Sequence, residues 1–254
     1  MFTIQQIEQF KTAKPFNYLV IDDFFPDDMA IKLSEEFPDF ENSLWHLYNN
    51  AIEYKKTCNI WNFFPSNTYQ AFSDLCSESF VGELENLTES KLYPDTGLHG
   101  GGWHIHSKGG KLNVHLDYNL HPKLTGKQRK LNLIVYMTPD WDSSWGGGLE
   151  LWSHCDVTNS PKELVTTIEN RFNRAVIFDT TQNSWHGLPC SLNCPENIYR
   201  KSIATYYLQD ADTNAVNRQR ALFAPYKDQI NDSNVLDLIQ QRSDSQNYAK
   251  SYVK

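Results

Sequence analysis

The strongest constraint on this chain is a series of short apolar runs that begins after residue 92. Lys111–Asp117, Leu131–Met137, Leu149–Trp152, Leu164–Ile168, Ala175–Phe178 and Ser202–Leu208 are each too short for a core helix, and Gly, Pro and Asn clusters separate them. Short apolar runs punctuated by turn residues read as strands. No long helical pattern lies between them, which argues against a parallel sheet made of strand–helix–strand units. The reading is therefore a mainly β chain of β-sandwich or jelly-roll type. Aromatic residues make up 13% of the chain, and they suit half-buried strand faces.

The two ends differ from this middle. Residues 1–14 have the spacing of a short amphipathic helix, and Phe16–Phe25 reads as a strand running into a loop. Pro26-Asp27-Asp28 then opens a helix to about Phe37, since Pro and acids favour a first turn. Residues 40–65 are aromatic-rich and irregular, and residues 66–91 carry helical spacing at Phe72, Leu75, Phe80 and Leu84. Beyond Asp210 the chain is polar, with a helix expected over Asn234–Gln241. The expected organisation is one structural domain: a mainly helical support region at 1–91, a β core at 92–210 and a polar C-terminal extension at 211–254. A length of 254 residues is compatible with a single β domain.

Charge narrows the partners. The chain has 23 basic and 31 acidic residues, a balance of −8. General nucleic-acid binding needs a basic face, and so does docking on anionic lipid. Neither partner is expected. No apolar run approaches the roughly 18 residues that cross a bilayer. The start, MFTIQQIEQFKTAK, lacks the pattern of a secretory signal. The five cysteines are odd in number and form no CxxC pair, so free thiols in a reducing, cytoplasmic setting are expected.

The pattern that bears chemistry is His115-Leu116-Asp117, at the end of the strand KLNVHLD. Residues i and i+2 share a strand face. His115 and Asp117 thus leave one face, and Leu112, Val114 and Leu116 leave the other. An imidazole and a carboxylate on one rigid face supply two of the three ligands of a facial triad for Fe(II). The third ligand should be a distant histidine on a neighbouring strand. His186, 71 residues downstream in NSWHGLP, is the candidate. It follows the strand Arg174–Asp179, and the turn-like Thr180–Ser184 would swing it inward. Arg200 stands 14 residues further on, at the head of RKSIATYYL. It shares a face with Ser202, while Lys201 faces away. A guanidinium fork beside a hydroxyl suits a carboxylate. Iron on three side chains, with an anion anchor beyond, fits a co-substrate that chelates at one end and carries a carboxylate at the other. 2-Oxoglutarate has that shape.

From about Gly97 to Leu208 the chain resembles the 2-oxoglutarate/Fe(II)-dependent dioxygenases, and specifically their prolyl 4-hydroxylase-like branch. The matching pieces are HLD at 115–117, the strand Leu131–Tyr136 followed by TPDW, GGGLELW at 146–152, NRAVIFDT at 173–180, WHG at 185–187 and RKSIATYY at 200–207. The resemblance implies a double-stranded β-helix with flanking helices and iron at its open end. It implies His115, Asp117 and His186 as metal ligands and Arg200 as partner of the distal carboxylate of 2-oxoglutarate, with Ser202 nearby. Tyr136 falls where the branch places a tyrosine on that carboxylate, and Leu149 would pack beside the co-substrate. The implied cofactors are Fe(II), 2-oxoglutarate and O2, with ascorbate as an accessory reductant. The implied reaction couples oxidative decarboxylation of 2-oxoglutarate to hydroxylation of a small-molecule, peptide or protein substrate, a prolyl residue or a small metabolite among them. Asp117 fills the position that halogenases of this superfamily leave open, which favours hydroxylation. One departure is the long interval Pro189–Tyr199, which reads as an inserted loop.

Blander readings compete at several positions. His104-x-His106 is a second metal-like pair, but a cupin would follow it with a Glu four or five residues on, where Gly110 and Lys111 stand. A cupin-like jelly-roll metalloprotein, binding or isomerising without 2-oxoglutarate, is accordingly the alternative. Tyr136 reads equally well as a core aromatic. Gly146–Gly148 reads as a turn leading into a strand, since no helix follows to make a phosphate loop. Trp103 and Trp185 read as core, and His99, His121 and His154 as structural or rim residues.

Overall fold

The computed structural model describes residues 1–244; residues 245–254, the end of the expected C-terminal extension, lie outside the described part. The strands are β1 (Tyr18–Ile21), β2 (His46–Asn49), β3 (Glu53–Cys58), β4 (Tyr93–Pro94), β5 (Gly102–His106), β6 (Lys111–Leu116), β7 (Lys127–Tyr136), β8 (Leu149–Cys155), β9 (Ser160–Ile168), β10 (Ala175–Asp179), β11 (Trp185–Leu188), β12 (Arg200–Asp210) and β13 (Leu222–Phe223). The helices are α1 (Ile4–Thr12), α2 (Asp27–Glu35), α3 (Ser66–Leu75), α4 (Glu78–Thr88) and α5 (Ser233–Ser243). The main strand order is β1-β10-β7-β12-β5-β3-β6-β11-β8-β9. Its pairings are antiparallel, and the sheet curls strongly on itself into the expected jelly roll. The six apolar runs lie on β6, β7, β8, β9, β10 and β12.

Strand β7 shows how sequence becomes architecture. Leu131, Leu133 and Val135 are fully buried in the largest core cluster, with Leu33 of α2, Phe72 of α3 and Leu84 of α4. Each such side chain contributes about 1.5–3 kcal/mol by leaving water. Asn132, Ile134 and Tyr136 alternate onto the opposite face, toward the interior of the roll. One strand thus anchors the helices outside and furnishes the site inside. Trp103 also belongs to this core, between Phe37 and Phe64.

Two expectations need correction. Residues 40–65 are not wholly irregular: they contain the β2–β3 hairpin. Its second strand, EYKKTC, has no apolar alternation because its inward face lines a polar cavity, so hydrophobic periodicity missed it. β3 also joins the two halves of the sheet, pairing with β5 through Lys56–Cys58 and with β6 through Glu53 and Tyr54. Gly102 permits that approach. It adopts φ +89°, and a Cβ there would lie 2.7 Å from Asn59 Cα and closer still to the Cys58 carbonyl oxygen. The helical stretch 66–91 is likewise two helices. Ser77 interrupts it by accepting a hydrogen bond from the Phe80 amide as the α4 cap.

Candidate active site

The site lies where β6 and β11 run side by side. His186 sits in β11 directly opposite His115. Asp117 follows the end of β6 and turns its carboxylate between the two rings. His115 Nε2 is 3.5 Å from Asp117 Oδ1, and His186 Nε2 is 3.6 Å from Asp117 Oδ2. Among the described residues this is the group of three His, Cys or acidic side chains whose ligand atoms lie close enough to hold a metal, all within 4.8 Å of one another.

The hydrogen bonds on the far side of each ring fix the tautomers. His115 Nδ1 lies 2.9 Å from the Asn113 carbonyl oxygen, and His186 Nδ1 lies 2.8 Å from that of Ser184. A carbonyl oxygen only accepts, so each Nδ1 carries the hydrogen and each Nε2 presents a lone pair. Burial, together with nearby His115, pushes His186 down to about 4 against the pull of Asp117, so its ring is neutral at pH 7. Burial alone would raise the Asp117 carboxyl. Arg129 outweighs this and holds it well below the usual carboxylate range. Two imidazole Nε2 atoms and a carboxylate therefore converge on one point. That donor set calls for a cation, and two His with one carboxylate suit Fe(II).

The carboxylate is held from behind. Asn132 Nδ2 donates to Asp117 Oδ2 at 2.7 Å, and Arg129 Nη2 stands 3.5 Å from the same oxygen. Arg129 in turn donates from Nε to Asn132 Oδ1 at 2.6 Å. Its guanidinium is centred 3.3 Å from the middle of the Tyr206 ring and 4.6 Å from that of Tyr118. Sequence reasoning missed both supports. Asn132 was discoverable, because it shares the period-two face of Tyr136.

Arg200 and Ser202 open β12, buried on the same face, opposite His106 and His104 of β5. Arg200 Nε donates to the Gly147 carbonyl at 2.7 Å, and its guanidinium lies 5.0 Å from the centre of the Tyr136 ring. Gly147 has φ +81°, and a Cβ there would lie 3.0 Å from Arg200 Cδ and 2.9 Å from Leu192 Cδ2. The Gly146–Gly148 turn thus cradles the arginine as well as leading into β8. The Tyr136 hydroxyl is buried with no hydrogen-bond partner. A buried cation beside an orphaned hydroxyl fits a carboxylate-bearing ligand.

These groups face one cavity of about 370 Å³. His115, Asp117, His186, Arg200, Ser202 and Leu149 all line it, whereas Tyr136 packs beneath Arg200. His104 and His106 line it too. Burial holds His104 neutral, down to about 3, and keeps His106 neutral as well. Both ring nitrogens of His106 lack a partner. His46 and His99 line it as well. His121 and His154 are structural: His121 Nε2 lies 3.4 Å from Asp95, and His154 Nδ1 accepts from Trp185 Nε1 at 2.9 Å.

The fold and this donor set fit a non-haem iron oxygenase. Comparison with known proteins agrees. Residues 101–208 match the family described as the 2OG-Fe(II) oxygenase superfamily. The matched stretch is a little under half of the chain, and the match supports an Fe(II)- and 2-oxoglutarate-dependent dioxygenase of the hydroxylase kind. Among solved structures, it is similar to a prolyl-4-hydroxylase from Pseudomonas putida, at 15% identity and TM-score 0.55, covering 82% of this chain and 98% of that one. It is also similar to a Trichoplax adhaerens prolyl hydroxylase in complex with a hypoxia inducible factor peptide fragment, at 15% identity and TM-score 0.55, covering 80% and 87%. A third similar structure is HygX from Streptomyces hygroscopicus with nickel, 2-oxoglutarate and hygromycin B, at 12% identity and TM-score 0.56, covering 82% and 88%. At these identities the structural likeness concerns the fold. The cupin-like alternative is set aside by the family match. Among the described residues no helix is long and apolar enough to cross a membrane.

Proposed function

We propose that His115, Asp117 and His186 hold the iron and that Arg200, with Ser202 and Tyr136 beside it, binds the distal carboxylate of 2-oxoglutarate while Leu149 packs along its chain. The observation that carries the reading is the convergence of two lone-pair nitrogens and one carboxylate inside a cavity that also holds a buried arginine. When bound, iron and 2-oxoglutarate supply the oxidising chemistry, in which 2-oxoglutarate and O2 become succinate and CO2 and the substrate gains a hydroxyl. The protein's residues position these reactants. Asn113 and Ser184 orient the imidazoles, Asn132 and Arg129 hold the Asp117 carboxylate, and Gly147 aims the Arg200 fork. The substrate enters the same cavity, as a small metabolite or as a single residue of a peptide, a prolyl residue included.

Anaerobic titration of metal-free protein with Fe(II) and then 2-oxoglutarate tests this. The wild type should develop a visible metal-to-ligand charge-transfer band. Asp117→Ala should weaken it by losing metal, and Arg200→Ala should shift its midpoint to higher 2-oxoglutarate. A midpoint unchanged in Arg200→Ala would remove the anchor assignment.

A further inference from the structure

The cations of the cavity can be matched against its anions. Arg129 serves Asp117, and Arg242 Nε donates to Glu53 Oε1 at 3.0 Å. Arg200 is committed to 2-oxoglutarate in the function proposed above. Lys55 is left over. It projects from β3 into the cavity between Glu53 and Thr57, all three on one face of the strand. Its side chain is only 14% exposed. Its nearest carboxylate oxygen, Glu53 Oε2, is 3.8 Å away, an ion-pair distance beyond hydrogen-bond reach, and the other oxygen of that carboxylate is taken by Arg242. Glu53 Oε2 itself is buried with no hydrogen-bond partner, as are both ring nitrogens of His106 on the same cavity wall.

A buried ammonium with an ion pair at 3.8 Å but no hydrogen-bond acceptor is incompletely compensated, because burial disfavours the charged form. Burial indeed pushes Lys55 below the usual lysine range, against the pull of Glu53. A ligand anion at Nζ would remove that penalty. The orphaned Glu53 oxygen beside it would accept a hydrogen bond from the same molecule. A cavity of about 370 Å³, part of it taken by the co-substrate, leaves room for a small molecule.

We infer that the substrate is a small anionic molecule whose carboxylate or phosphate pairs with Lys55, and which offers an N–H or O–H donor to Glu53 next to that anion. The inference rests on the iron and 2-oxoglutarate reading and names the substrate class of the same site. In an oxygenase with this layout, Lys55 and Glu53 set selectivity, while the metal ligands perform the chemistry.

The test is isothermal titration of anaerobic protein loaded with Fe(II) and 2-oxoglutarate, with loading verified on each sample by its charge-transfer band. The probes are the free amino acids paired with their uncharged-carboxyl amides, and a set of sugar phosphates paired with the parent sugars. At least one charged probe should bind about tenfold or more tightly than its neutral partner. The amino-acid and sugar arms distinguish carboxylate from phosphate. Lys55→Met should erase that preference and Lys55→Arg should retain most of it. Equal affinity within every pair, no binding by any charged probe at millimolar concentration, or a preference that survives Lys55→Met would overturn the inference. Absence of the band in wild type would instead overturn the iron and 2-oxoglutarate reading, and this inference with it.

Discussion

Asn132 offers a quantitative test of how the iron carboxylate is supported. Its Nδ2 donates to Asp117 Oδ2 at 2.7 Å, in a site where Asp117 is largely buried. A hydrogen bond to a charged group contributes about 1.5–3 kcal/mol. At about 1.4 kcal/mol per factor of ten, Asn132→Ala would weaken metal binding by about 10- to 150-fold if that bond acted alone. It does not act alone. The same substitution strips Arg129 Nε of its acceptor, Asn132 Oδ1 at 2.6 Å, and Arg129 already stands 3.5 Å from the same carboxylate oxygen. A guanidinium freed from Asn132 would lean on Asp117 and recover part of the orientation. The expected loss is therefore near the lower end, about tenfold, within the range found for outer partners of metal ligands. Anaerobic Fe(II) titration of wild type and variant measures it directly, and excess Fe(II) should restore turnover. An affinity within about twofold of wild type would refute the role given to Asn132.

Other perturbations give separable readouts. Gly147→Ala places a Cβ 3.0 Å from Arg200 Cδ at a φ of +81°, so the 2-oxoglutarate concentration for half-maximal turnover should rise; an unchanged value would mean that the cradle does not aim the arginine. His106 and His186 are buried and held neutral, His186 down at about 4, so between roughly pH 6.5 and 4 the unfolded chain binds the extra protons. Their contribution to stability is complete above about pH 6.5 and declines as pH falls, by about 1.4 kcal/mol per pH unit for each. Melting temperatures of metal-free protein should drop across that window, and a flat profile from pH 7 to 5 would contradict it. Ni(II) as a redox-inert substitute at about 100 times its Kd should add about 2.7 kcal/mol, a rise of several degrees in Tm, and Asp117→Ala should abolish the rise.

The sequence made the roll and its metal cluster legible for specific reasons. Strands β6, β7, β8, β10 and β12 each bury at least part of one face, so their apolar residues stand out against the turns, whereas β9 keeps Leu164 and Val165 exposed and buries only Ile168. His115 and Asp117 lie two apart on one strand, which is a local relation. His186 needed the long-range pairing of β11 with β6, and a distinctive WHG segment supplied the clue. The β2–β3 hairpin was invisible because its inner residues, Glu53, Lys55 and Thr57, face a polar cavity and leave no hydrophobic signature. Strand β5 lies in a glycine- and histidine-rich stretch with no long apolar run to mark it as a strand. Arg129 was concealed for another reason: its partners, Tyr118, Tyr206 and Asp117, come together only when the sheet curls.

The stretch 101–208 that matches the superfamily contains all three residues of the metal cluster, together with Arg200 and Ser202. Glu53 and Lys55 come before it, and Arg242 comes after. The hairpin part of the substrate-facing wall is thus encoded apart from the metal cluster, although His104 and His106 of that wall lie within the matched stretch. A hairpin of a dozen codons could be exchanged to redirect the oxidation while the residues proposed to hold the iron stayed as they were.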